Sequence, residues 1–165
     1  MTEGARICTS CNIALPLARF ETFNDGKFRG VCRDCTYAQR ARKMSASPEA
    51  FLKTLMVQLK SARRNEDIAF TLTADEVCEL WEVQGGKCAL SGVLLTYQRD
   101  GKSGDGKKKE FNASLDRINP GGPYSRENVQ LVAGRVNTMK HTLGEDMFIW
   151  WIKNIHEHFL SKMRI

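Results

Sequence analysis

No apolar run in this 165-residue chain approaches the length needed to cross a bilayer. The first residues, where Glu3 and Arg6 are soon followed by cysteines, lack the apolar core of a signal peptide, so a soluble cytoplasmic protein with no membrane partner is expected. Nor is there the shortage of apolar residues that marks disorder, because 42% of the chain is hydrophobic and 27% charged, a balance that supports a buried core. Histidine is scarce, and of the three, His156 and His158 have no acid at ligand spacing nearby. Cys78 and Cys88 are without a second C-x-x-C knuckle and sit among apolar residues, which reads as buried thiols and argues against a second zinc site.

What the chain has in excess is positive charge. A formal charge of +6 and a pI near 9.1 favour a polyanionic partner, since releasing counterions from phosphates drives much of nucleic-acid binding. Solubility alone would explain the same charge, so the motifs have to decide.

Four of the six cysteines fall as Cys8-Thr-Ser-Cys11 and Cys32-Arg-Asp-Cys35. Two such knuckles can aim four thiolates at one tetrahedral ion, which makes structural Zn2+ the expected cofactor; a pair of disulfides or a redox centre is the alternative. A four-sulfur site leaves no open position for water, so this metal would hold the fold and perform no reaction. Between the knuckles, Phe20, Phe23, Asn24-Asp25-Gly26 and Phe28 predict a short hairpin turned at Asp-Gly. After Cys35, a helix carrying Arg40, Arg42 and Lys43 could lie along a phosphate backbone, or simply be solvated. This metal-binding module spans residues 1–44.

Residues 45–69 read as a helical linker. Ser47 is a candidate N-cap before Pro48, and Phe51, Leu52, Leu55, Met56 and Leu59 recur on one helical face. In the remaining unit, 70–165, Thr73-Ala-Asp-Glu76 has capping-box spacing and opens a short core helix that ends at Gly85-Gly86. Gln98 to Glu110 is glycine-rich and charged, a loop or hairpin tip whose Lys107, Lys108 and Lys109 are candidate phosphate contacts.

The densest stretch is Asn112 to His141. Phe111 to Ile118 alternates as a strand, Asn119-Pro-Gly-Gly-Pro123 forces a turn, Asn128-Val-Gln-Leu-Val132 returns, and a helix begins at Gly134. The segments L-D-R-I, G-G-P-Y, E-N-V-Q-L-V and V-N-T-M-K, with the lead-in from Leu72 through Gly-Lys-Cys88 to Ser-Gly92, resemble the ββα-metal core of HNH nucleases, the His-Me finger superfamily. The cysteine-rich start resembles the zinc ribbons of phage and mobile-element HNH proteins. The implied fold is α+β: a small zinc ribbon followed by a mainly helical domain containing a ββα-metal core. The implied activity is metal-dependent hydrolysis of DNA phosphodiesters, in host cytoplasm if the chain is phage-encoded.

Carried over by position, the resemblance makes Asp116 and Asn137 ligands of a catalytic Mg2+ or Mn2+, which prefer oxygen donors. Asn128 becomes a turn brace and His141 an additional ligand or a base. Arg126, Arg135 and Lys140 join the candidate phosphate contacts. The family usually has histidine directly after the first acid, as general base; here the residue is Arg117, which stays protonated and can hold phosphate but not activate water. His141, Tyr124 or a metal-bound water are the remaining candidates for the base. The bland alternative pairs Asp116 only with Arg117 or a backbone donor and leaves both asparagines as caps.

The last helix, from Glu145 to about Ser161, carries Phe148, Trp151, Ile152, Ile155 and Phe159 on one stripe, which is expected to be core; Met147 and Trp150 widen the apolar surface, which could pack on the linker helix or cover a partner, so a homodimer is a candidate assembly. The leading expectation is an endonuclease acting on DNA, branched or single-stranded DNA included. A catalytically silent zinc-containing nucleic-acid-binding protein and a protein-interaction module are the alternatives.

Overall fold

The computed structural model describes residues 4–99 and 110–163. The expected lysine cluster Lys107, Lys108 and Lys109 lies outside them. Among the described residues the fold is α+β, with three two-stranded antiparallel sheets, five helices and a four-cysteine cluster.

The first unit is built on two small hairpins. Strand β1 (Ala5–Ile7) pairs with β2 (Ala14–Pro16), and the first knuckle forms the turn between them, where Asn12 adopts a left-handed φ of 57° that asparagine tolerates. A 3-10 turn (Leu17–Arg19) leads into β3 (Phe20–Thr22), which pairs with β4 (Phe28–Cys32). The expected Asp-Gly turn lies between them, with Gly26 at φ 80°. Helix α1 (Arg33–Met44) follows directly, so Cys32 caps it and Cys35 sits in its first turn. Cys8, Phe20 and Cys32 are the buried centre of this unit.

The second core takes in the segment read as a linker. Helix α2 (Pro48–Ala62) starts where Ser47 Oγ accepts the Ala50 N–H at 3.1 Å, with Pro48 in the first turn. It buries Phe51, Leu52 and Met56 against α3 (Ala74–Val83). Helix α3 opens on a complete capping box: Thr73 Oγ1 accepts the Glu76 N–H, and the Glu76 carboxylate accepts the Thr73 N–H at 2.8 Å. Its C-terminal turn closes through Gly85 and Gly86, both at positive φ.

Strands β5 (Ala113–Arg117) and β6 (Val129–Ala133) form the third hairpin, paired so that Asp116 faces Gln130 across the ladder. Every residue of β6 is buried. Gln84 fastens α3 to β6, its amide oxygen accepting the Leu131 N–H at 2.9 Å and its amide nitrogen donating to the Leu131 carbonyl at 2.8 Å. Helix α4 (Gly134–Lys140) leaves β6 without a break and packs back on β5. Strand, turn, strand and helix thus follow in the expected order.

One expectation fails in the last helix. Helix α5 (Glu145–Met163) forms, yet of its apolar stripe only Phe148 is buried. The hairpin packs against α3 and α4, while α5 buries Phe148 near its start and is exposed from Ile149 onwards. Helical periodicity announces an apolar face without saying what lies against it.

Candidate functional site

The cysteines form the clearest site. The Sγ atoms of Cys8, Cys11, Cys32 and Cys35 all lie within 4.8 Å of one another, and none is in a disulfide. A zinc tetrahedron with Zn–S bonds of about 2.3 Å sets its sulfurs about 3.8 Å apart, inside that bound, so the four thiols can close on the ion. Backbone amides complete the cage: the N–H groups of Cys32 and Ser10 point at Cys8 Sγ, at 3.3 and 3.4 Å. The Cys32 amide holds the Cys8 thiol low, at about 6, while burial opposes it. The Ser10 hydroxyl favours ionised Cys35, but hydrogen bonding among the Cys32, Cys11 and Cys8 sulfurs, together with burial, leaves Cys35 pushed up to about 12. Four crowded sulfurs cannot all ionise without a cation, and a zinc ion would take the place of their protons.

The second site lies on the seam between β5 and α4. Side chains alternate across a strand, so Ser114 and Asp116 share one face of β5 and Arg117 takes the other. Residues three apart on α4 point the same way, and Asn137 and Lys140 both reach that face. Asn137 Nδ2 donates to Ser114 Oγ at 2.6 Å and to the Leu115 carbonyl at 3.2 Å. Its amide oxygen takes no part in those bonds. Lys140 Nζ donates to Asp116 Oδ1 at 3.1 Å and to the Arg117 carbonyl at 2.7 Å.

Lys140 was expected as a phosphate contact, and that expectation is corrected: the side chain is 0% exposed. An ammonium buried without a partner costs several kcal/mol, and here it pairs with the Asp116 carboxylate. The other oxygen of Asp116 is also engaged. Gln130 Nε2 donates to Asp116 Oδ2 at 3.1 Å and to Glu145 Oε2 at 2.8 Å, tying the seam to the first turn of α5.

Arg117 turns away from Asp116. Its Nη1 donates to the Gly122 carbonyl at 2.8 Å, and its guanidinium lies 4.8 Å over the ring of Tyr124. Tyr124 is buried, with its ring stacked on Phe70 at 4.8 Å. Asn128 laces the intervening loop: its Oδ1 accepts the Asn119 N–H at 2.9 Å, and its Nδ2 donates to the carbonyls of Asn119 and Pro123 at 3.0 and 2.8 Å. Gly122 is required there, since a Cβ would stand 2.7 Å from Asn128 Nδ2.

The remaining candidates are scattered. His141 ends α4 at φ 50° and ψ −115°, exposed, with Nδ1 3.2 Å from Thr142 Oγ1. Arg135 is exposed and paired with Glu110, and Arg126 is half-buried. Arg40, Arg42 and Lys43 are exposed on α1, with Arg40 3.6 Å from Glu21.

The sequence reading missed Gln130, Glu145 and Ser114. A signal for Gln130 existed, because it is the one polar residue in an otherwise apolar strand, V-Q-L-V-A. For Glu145 there was none, because its contact reaches from α5 back past the whole of α4 to β6.

Neither a family model nor a curated protein matches the sequence. Among solved structures, the chain is similar to PacI, a rare-cutting HNH restriction endonuclease, at 15% identity and a TM-score of 0.44 over 95% of this chain and 97% of that one. That likeness is one of loose outline.

Proposed function

We propose that the protein is a metal-dependent DNA endonuclease whose reaction centre is the β5–α4 seam. The observation that supports this most is the delivery of a carboxylate, Asp116, and a carboxamide, Asn137, to one seam by a strand-turn-strand-helix unit. Asp116 and the amide oxygen of Asn137, which takes no part in the bonds to Ser114 and Leu115, are hard oxygen donors of the kind Mg2+ or Mn2+ prefers. When bound, such an ion would stabilise charge on the phosphate and on the departing oxygen.

The chain's own residues supply the rest. Arg117, always charged and held in place by Gly122 and Tyr124, would grip a phosphate oxygen from the opposite side of β5. His141, exposed at the end of α4, is the side chain best able to take a proton from water. Tyr124 is less suited because it is buried and stacked. The zinc unit would present Arg40, Arg42 and Lys43 of α1 to the DNA backbone, and Arg126 and Arg135 would extend that surface.

One observation favours a second reading. The Lys140 ammonium already neutralises Asp116, so a divalent ion must displace it or share the carboxylate. In a silent DNA-binding protein that ion pair would be permanent.

The test uses zinc-replete protein freed of magnesium, mixed with supercoiled or branched DNA, with Mg2+ or Mn2+ then added. Nicking or linearisation that needs the added cation and disappears in Asp116→Ala and Asn137→Ala is the expected result. DNA retention without cleavage under either cation would favour the silent binder, and cleavage surviving both substitutions would remove the site assignment.

A further inference from the structure

Helix α5 leaves the body after its first turn, and its large apolar residues stay in water. Trp151 is 48% exposed, Ile152 40%, Ile155 61%, Phe159 63% and Met163 70%. With Phe148 they follow the i, i+3, i+4 spacing that puts them on one side of the helix. Met147 borders that stripe, while Ile149, Trp150 and Leu160 lie towards the other side of the helix, each also about half exposed. If a large apolar residue has a full area of about 200–250 Å², the five stripe residues alone expose roughly 600 Å². That reaches the upper range of patches seen on monomers, roughly 300–600 Å², before the flanking residues are counted.

We propose that α5 is an assembly arm that pairs antiparallel with α5 of a second copy of this chain. Area and charge both choose that occupant. Two stripes facing each other would bury roughly 1,200 Å², the lower end of a stable protein–protein interface. The charges are arranged for self-complementarity: Glu145 and Asp146 occupy the first turn and Lys162 the last. An antiparallel pair crossing at Ile155 sets Trp151 against the partner's Phe159. It also brings Lys162 within a turn of the partner's Glu145. A parallel pair would put acid on acid and align the two helix dipoles. An antiparallel pair opposes them, which is the two-fold, self-matching contact that homodimers use.

The arm has a consequence for the site. Glu145 holds Gln130, and Gln130 holds Asp116, so the base of α5 is hydrogen-bonded to the seam. Resting on the endonuclease reading above, pairing through α5 gives one assembly with two such seams, and therefore the means to cut both strands of a duplex in one encounter.

Assembly is measured without DNA, so its outcome is independent of whether the protein cuts. Zinc-replete full-length protein is examined by sedimentation equilibrium over a range of concentrations. The expected mass is twice the 18.7 kDa of the single chain. The double variant Trp151→Glu, Phe159→Glu should sediment as a monomer while keeping its bound zinc and the circular dichroism of the core. Lys153→Glu, on the opposite side of the helix, should remain a dimer. A parent that stays monomeric to about 100 μM, well above the Kd range of stable complexes, overturns the proposal. So does a double variant that still dimerises. If the monomeric parent instead binds lipid vesicles, with Trp fluorescence shifting to the blue, the arm serves a membrane surface and the proposal is likewise wrong.

Discussion

Replacing Lys140 with methionine keeps the length of the side chain and removes its charge. In the parent the ammonium is fully buried between Asp116 Oδ1 and the Arg117 carbonyl. Lys140→Met therefore leaves a carboxylate that is 4% exposed with Gln130 as its remaining side-chain donor. Removing one member of a buried pair costs about 3–5 kcal/mol, chiefly because the surviving charge is stranded. In a chain of this size each kcal/mol lowers Tm by roughly 2–4 °C, so a fall of about 6–20 °C is expected. The double variant Lys140→Met, Asp116→Leu removes both charges and should return to within about 2 kcal/mol of the parent. Urea unfolding of the zinc-replete proteins, followed by far-UV circular dichroism, reads all three values. Magnesium supplies a further sign: with the ammonium gone the cation has no competitor at Asp116, so added Mg2+ should raise the Tm of Lys140→Met more than that of the parent. A single variant costing less than about 1 kcal/mol, with no gain from magnesium, would refute both the pair and the competition argued from it.

Three further outcomes follow from other parts of the molecule. Cys32→Ser should lower the zinc content, measured by mass spectrometry of the metal, from one ion per chain to none and disorder the first unit. Gly122→Ala places a Cβ against Asn128 Nδ2 and should cost about 1–3 kcal/mol, with NMR shifts concentrated between Ile118 and Asn128. Thr73→Ala removes the cap of α3 at a cost of about 1 kcal/mol. It also changes the acid limb of stability, because the Thr73 N–H and hydroxyl hold the Glu76 carboxyl below its ordinary value of 4.5. A depressed carboxyl contributes stability that is complete above 4.5 and is lost as the pH falls through its lower folded value, so the Tm of Thr73→Ala should fall less than the parent's below 4.5.

What was legible in the sequence was local. Ser47-Pro48 and Thr73 with Glu76 announce helix starts because their hydrogen bonds close within three residues. The knuckles announce a metal cage because each C-x-x-C is a self-contained turn, and the second needs only one hairpin to meet the first. The β5–β6–α4 unit was legible for the same reason, its turn residues and periodicities lying within thirty positions of one another.

The unread parts depend on partners distant in the chain. Lysine is rarely buried, so the sequence alone makes Lys140 a surface charge, and only the packing of α4 on β5 brings its ammonium against a carboxylate. Gln130 opposite Asp116 follows from a register set across an eleven-residue loop, too long for turn chemistry to fix. The stripe on α5 predicts a core face, yet periodicity specifies only the face and leaves its cover open, and the structure leaves all but Phe148 exposed.

The oxygen-donor seam is tested most directly by Mn2+ itself, without DNA. Electron paramagnetic resonance of free Mn2+, titrated against zinc-replete protein, counts the ions taken up and shows which side chains they need. One bound ion per chain in the parent, lost in Asp116→Ala and weakened in Asn137→Ala, is the predicted result. Equal Mn2+ uptake by parent and Asp116→Ala, or none by the parent at millimolar Mn2+, would contradict the account.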